Sequence, residues 1–153
     1  MAIDREAIQF TYGPLAKEDI FEFLDENASS HFIDLRKLVD LDKYSEKLSL
    51  YATHFCFFDG NKLIGFCGCY FNNETSRVGY ISGISLLEGY RGVGLGSDLL
   101  HHVIQRGKVL GFKVIHVTVD RRNIILTAFF ERNGFFKLDT VDERYLLGYP
   151  LVE

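Results

Sequence analysis

Apolar and polar positions fall into blocks with two different periods. Ala7–Tyr12 is apolar and extended in character and is closed by Gly13-Pro14, which predicts a short strand. From Leu15 the spacing becomes helical. Ile20, Phe21, Phe23 and Leu24 form an apolar face up to about Glu26, and Asn27–Ser30 breaks it. His31–Leu41 mixes charge with Phe32, Leu35, Leu38 and Val39 at helical spacing, as a second helix or an ordered loop. Asp42–Tyr51 puts Tyr44, Leu48 and Tyr51 on one face and Glu46 and Lys47 outward, which predicts a helix.

The period then shortens. Thr53–Phe58 and Lys62–Phe71 flank Asp59-Gly60-Asn61, a hairpin signal. Asn72–Thr75 is a second turn, leading into Arg77–Leu86, so three strands form an antiparallel meander. A glycine-rich turn, Arg91–Ser97, separates this last strand from an apolar-periodic run through Leu95, Leu99, Leu100, Val103, Ile104 and Leu110. Lys113–Val119 reads as a strand and Asn123–Asn133 as a helix stopped by Gly134. Phe135–Leu138 and Arg144–Tyr149 close the chain as strands. The step from Leu86 through a helix to Val114 is a crossover, so those two strands are expected to be parallel neighbours. The expected fold is α/β, with a mixed, mostly antiparallel sheet flanked by helices.

Composition narrows the class. A chain of 153 residues is most simply a single domain, 1–153, able to bury a core without covalent staples. A net charge of −4 argues against a nucleic-acid partner bound over the whole surface. No apolar run approaches the ~20 residues of a membrane span. The N-terminus, Met1–Glu6, has no signal-peptide core. Cys56, Cys67 and Cys69 are odd in number and sit in apolar strands, as buried thiols in a reducing compartment do. The expectation is a cytoplasmic protein with no nucleic-acid or membrane partner.

The turn carries the chemistry. A helix opened by glycines presents unpaired backbone N–H groups at the positive end of its dipole, which makes an anion cradle. A P-loop requires a lysine after its last glycine, but Ser97-Asp98 follow Gly96 and an aspartate repels a triphosphate. A dinucleotide fingerprint requires glycines at spacings of two and three, whereas Gly92, Gly94 and Gly96 come at two and two. Its acidic residue about 20 positions on would fall near Gly111, where there is none.

Arg91-x-x-Gly94-x-Gly96, after a strand and before a helix, resembles the pyrophosphate-binding motif of the GCN5-related N-acetyltransferase (GNAT) superfamily. Val117–Asn123 followed by Ala128–Phe135 resembles the second signature of that superfamily: a strand, an asparagine, and a helix ending before Gly-Phe. The two signatures together span about Arg77 to Phe135. The resemblance implies a GNAT-like domain that takes acetyl-CoA as acetyl donor and passes the acetyl group to an amine by direct attack on the thioester. It implies that Arg91, Gly92, Val93, Gly94, Leu95, Gly96 and Ser97 hold the CoA pyrophosphate. The edge of Ile84, Ser85 and Leu86 would pair with the pantetheine, and the Ile84 N–H would polarise the thioester carbonyl. Asn123 would contact the pantetheine, and Phe130 would wall the thioester channel. The acceptor is a small-molecule amine or a protein amine, and the closing strands of the superfamily often support a homodimer.

One position departs from the family pattern. Four residues before Gly134, where a tyrosine commonly protonates the leaving thiolate, the chain has Phe130. Tyr145 and Ser97 are the substitute donors considered. This departure gives the alternative reading, a non-catalytic acyl-CoA sensor or regulatory domain. A nucleotide-binding module is a weaker third. For the base, Tyr80 occupies the strand position where histone-type relatives carry a glutamate, and alternation puts Tyr80, Ser82 and Ile84 on one face. A tyrosine of pKa about 10 would act there by holding a water. His116 is a second candidate base. Arg121, Arg122, Arg106, Lys108 and Lys113 are candidates for the 3′-phosphate of CoA or a solvated rim. His54, Cys56, Cys67 and Cys69 are placed on one sheet face by the Gly60-Asn61 turn. They are a zinc-like set by type but do not converge, so no metal is expected. His101-His102 are expected on a solvated or half-buried helix face rather than as a ligand pair. His31, Asp34 and Arg36 are expected at the surface, in the part that the resemblance makes the acceptor-site wall.

Overall fold

The computed structural model describes residues 3–152; Met1, Ala2 and Glu153 lie outside it, and with them part of the expectations about the N-terminus and the 1–153 span. Seven strands form one sheet in the order β1-β2-β3-β4-β5-β7-β6. Ile8–Tyr12 (β1), Thr53–Asp59 (β2), Lys62–Tyr70 (β3) and Val78–Leu86 (β4) pair antiparallel. Val114–Asp120 (β5) pairs parallel with β4, as the crossover predicts. Arg144–Pro150 (β7) inserts between β5 and Phe136–Val141 (β6). The mixed, mostly antiparallel sheet of the sequence reading is therefore observed.

Helices cover both faces. Lys17–Asn27 (α1) and Leu41–Tyr51 (α3) lie on one face, with Phe23 against Phe66 and Leu48 over Gly68. Asp40 starts α3 by accepting the N–H groups of Asp42 and Lys43. Leu95–Val109 (α4) lies on the other face and buries Leu95, Leu99, Leu100, Val103 and Ile104, the stripe its spacing predicts. Ile124–Arg132 (α5) packs beside the head of α4, where Phe129 approaches Gly96. Between α1 and α3 the uncertain region resolves into a 3-10 turn at Ala28–Ser30 and one short helix, Leu35–Leu38 (α2), capped by Asp34.

Two bulges correct the sequence expectations. The β2–β3 register shifts between Phe57 and Phe58, so His54 pairs with Gly68 and Cys56 with Phe66, while Phe55 pairs with Cys67 and Thr53 with Cys69. Paired residues share a face, so His54 and Cys56 lie opposite to Cys67 and Cys69, and the four do not form one set. His54 instead accepts the Leu15 N–H at Nδ1 (3.0 Å) and donates from Nε2 to the Leu48 carbonyl (2.8 Å), a satisfied core histidine. The three cysteines are buried and free, and burial pushes the Cys56 thiol up to about 12.

The second bulge lies in β4. Gly68 pairs with Gly83 but Cys69 with Ile81, so Ser82 is the extra residue. The register carries Tyr80, Gly83 and Ser85 to the α1/α3 face and Ile84 to the α4 face. Tyr80 and Ile84 therefore do not share a face, because one inserted residue reverses the alternation beyond it.

Candidate active site

The parallel pairing of β4 with β5 covers Val78–Val114, Gly79–Ile115 and Tyr80–His116 and then ends. Beyond Tyr80 the strands diverge. From Ile81 to Leu86, β4 is paired with β3 on one side, and its other edge opens into a wedge. A cavity of about 430 Å³ occupies the wedge and reaches over the α1/α3 face, touching Ser82–Ser85, Val117–Asp120, Asn123 and Phe130.

The glycine turn stands at the end of β4. Gly92 and Gly94 have φ of +80° and +87°, which side chains rarely adopt. Gly94 caps α4, and the first intrahelical bond runs from the Asp98 N–H to the Gly94 carbonyl (3.1 Å). Leu95, Gly96 and Ser97 are left with N–H groups that have no intrahelical acceptor. The Arg91 guanidinium does not point into this cradle. Its Nε donates to the Leu86 carbonyl (3.0 Å) and its Nη2 to Oδ1 of Asn27 (2.9 Å), so it ties the strand end to α1. A cation that the sequence reading missed lies on the turn instead. Arg5 donates from Nη1 to the Val93 carbonyl (2.6 Å), pairs with Asp98, and its Nη1 lies 3.1 Å from a Cβ built on Gly94. Eighty-eight residues separate Arg5 from Val93, and no local pattern announces such a contact.

The other predicted residues divide. Asn123 caps α5 by accepting the Leu126 N–H at Oδ1 (3.1 Å), and the residue lines the cavity. Phe130 packs between Phe129 and Phe135 and is 1% exposed. Tyr80 bonds through its hydroxyl to Thr118 Oγ1 (2.8 Å), which also accepts from Arg144 (3.3 Å), a chain across the two diverging strands. Ser97 Oγ accepts from Asn133 (3.3 Å), and the Tyr145 ring lies under Lys137. His116 is absent from the cavity wall; burial lowers its pKa. Arg121 pairs with Glu143 and Arg122 with Asp120, while Arg106 lies over Tyr12. Arg106 is also eleven residues along α4, about 16 Å from the cradle at 1.5 Å per residue. Arg106, Arg121 and Arg122 therefore each contact a partner within the chain.

At the bulge, Ser82 Oγ bonds to the Tyr44 hydroxyl (2.6 Å), and burial raises the Tyr44 pKa to about 12, which keeps it neutral. His31, expected at the surface, lines the cavity with Nε2 3.3 Å from Ser85 Oγ. The approach of half-buried His31 to β4 is a tertiary contact that the mixed pattern of its own segment does not carry. Among the described residues no group of three or more His, Cys, Asp or Glu is placed to hold a metal ion, and no helix is long and apolar enough to cross a membrane.

Residues 14–135 match the model of the acetyltransferase (GNAT) family. This chain belongs to the GNAT family. Solved GNAT structures share its fold. The PaiA N-acetyltransferase of Thermoplasma acidophilum, in complex with coenzyme A, superposes with a TM-score of 0.73 at 20% identity over 93% of this chain and 99% of its own. The ribosomal-protein-S18-alanine N-acetyltransferase of Escherichia coli gives 0.74 at 17% identity over 95% and 96%. A GNAT-family protein of Desulfovibrio desulfuricans gives 0.79 at 12% identity over 95% and 99%. No curated protein sequence matches the chain. In this GNAT domain the cavity lies along β4 from Ile81 to Ser85, and the glycine turn follows the end of that strand, where Arg91 bonds the Leu86 carbonyl.

Proposed function

We propose that this protein is an N-acetyltransferase that moves the acetyl group of acetyl-CoA to an amine by direct attack on the thioester. The observation that carries the reading is the unpaired β4 edge running into the Gly92–Ser97 cradle beside the cavity. The residues fit the donor. Backbone N–H groups of Gly92–Ser97 suit a pyrophosphate, and a side chain at Gly94 would fill the approach. The edge from Ile84 through Ser85 to Leu86 suits the amides of a pantetheine arm, which would add as a strand. A backbone N–H at the bulge end of this edge, at Ile84, would polarise the thioester carbonyl. Arg91 serves the donor site by holding the turn and the strand end together. Asn123 offers its Nδ2, and Phe130 walls the channel. The Tyr80–Thr118 pair would hold a water on the acceptor side.

The acceptor wall favours an amine with an apolar body. Phe32, Leu35, Leu38 and Val39 line it, and the one carboxylate among the described lining residues, Asp120, is already bound to Arg122 (2.7 Å). A polyamine or aminosugar would need several free carboxylates. Phe130, which has no proton to give, supports a second reading, a non-catalytic acyl-CoA sensor.

Thiol release from acetyl-CoA separates the two. The assay uses 2-phenylethylamine, spermidine, an aminoglycoside and a peptide with a free N-terminus, with CoA binding measured by calorimetry. Release with 2-phenylethylamine or the peptide, above that with spermidine, is expected. CoA binding with no release for any amine would establish the sensor.

A further inference from the structure

A hydrogen-bonded chain runs from the glycine turn to the acceptor side of the cavity. Arg91 Nη2 donates to Oδ1 of Asn27 (2.9 Å), which is 3% exposed. The Asn27 carbonyl lies 3.1 Å from Nδ1 of His31. Nε2 of His31 lies 3.3 Å from Oγ of Ser85 on β4. A carbonyl only accepts, so Nδ1 carries the hydrogen and Nε2 presents its lone pair to the Ser85 hydroxyl. The ring can then take a proton at Nε2 without losing its bond to Asn27. This arrangement fixes both tautomer and orientation, as the third member of a catalytic triad does for its histidine.

Resting on the acetyl-transfer reading, we propose that His31 is the base that takes the proton of the acceptor ammonium, directly or through the Ser85 hydroxyl. The ammonium gives one proton to Nε2. The freed lone pair forms the C–N bond at the thioester carbonyl carbon, and the C–S bond breaks with its electrons left on sulfur. The second amine proton passes to the thiolate, and the imidazolium returns its proton to solvent. The other ionisable groups that line the cavity are unsuited to the role. Tyr44 on α3 is held neutral by burial, Asp120 on β5 is held ionised by Arg122, and Arg144 on β7 is a permanent cation. Histidine is the side-chain type that ordinarily exchanges its proton near neutral pH.

The test compares wild type with His31→Gln, using acetyl-CoA and 2-phenylethylamine, or the free-N-terminus peptide where that is the better acceptor, across pH 6 to 10. In wild type, kcat/KM is expected to follow one ionisation that the pH profile of His31→Gln lacks. In His31→Gln it is expected to fall about 100-fold at pH 7. The deficit should shrink to within about threefold where the acceptor is itself largely unprotonated, with CoA affinity unchanged throughout. A variant with the wild-type rate and pH profile overturns the base assignment and leaves acetyl transfer standing. An equal deficit at every pH makes His31 merely structural and also overturns it. Absence of thiol release by wild type with every amine overturns both readings. Independently of turnover, imidazole 15N NMR should show the Nδ1–H tautomer at His31; an Nε2–H tautomer overturns the proposal.

Discussion

In the proposed donor site, Gly94 is the residue on which binding is expected to turn. Its φ of +87° strains most side chains, and a Cβ there would stand 3.1 Å from Nη1 of Arg5. Aspartate tolerates the left-handed conformation better than most residues. Gly94→Asp should therefore keep the fold while placing a negative charge in the cradle. The expected result is a loss of CoA affinity of about 100-fold or more, near 3 kcal/mol, by calorimetry, with a thermal midpoint close to wild type. Undiminished affinity would place the pyrophosphate elsewhere. Arg91 teaches a different lesson at the same scale. The motif makes it a cofactor residue, while its guanidinium bonds to Leu86 and Asn27. The type of residue was readable from the sequence; the partner of its side chain, more than sixty positions away, was not.

At the scale of elements, helices and strands with a clear period were legible, and bulges were not. An inserted residue such as Ser82 changes no composition and only a phase, yet it turns Ile84 away from Tyr80. The short α2 helix has a different dependence, on its cap. Asp34 accepts the Arg36 N–H (3.0 Å) and pairs with the Arg36 guanidinium (2.8 Å), which lowers its pKa to about 2. Asp120 does the same with Arg122 at the cavity mouth, also to about 2. A carboxyl whose folded pKa lies below its unfolded value of ~3.9 stabilises the fold above that value and loses the contribution as pH falls through the folded pKa. Carboxyl NMR titration should therefore give both groups midpoints near 2. The urea midpoint should fall between about pH 4 and 2, and less steeply in the Asp34→Asn/Asp120→Asn variant. Ordinary midpoints for both groups would remove the contribution.

At the scale of the whole molecule, the wedge between β4 and β5 is an opening in a sheet that is otherwise continuous across its seven strands. A ligand that adds to the β4 edge closes it. CoA at about 100 times its Kd should then stabilise the fold by ~2.7 kcal/mol and raise the thermal midpoint by about 5–10 °C. Hydrogen exchange should slow along Ile84–Leu86 and Gly92–Ser97. A shift in midpoint without protection on the β4 edge would place CoA outside the wedge. The sequence by itself determined the order and type of the elements, the parallel crossover, and the glycine turn that opens α4, because these depend on local period and on short-range backbone chemistry. Tertiary structure alone decided the strand divergence after Tyr80, the sides taken by His54, Cys56 and Ile84, and the meeting of Arg5 with the turn and of His31 with Ser85. Those depend on registers and on contacts between distant segments, which are fixed only when the sheet closes its hydrogen bonds and the helices bury their apolar faces against it.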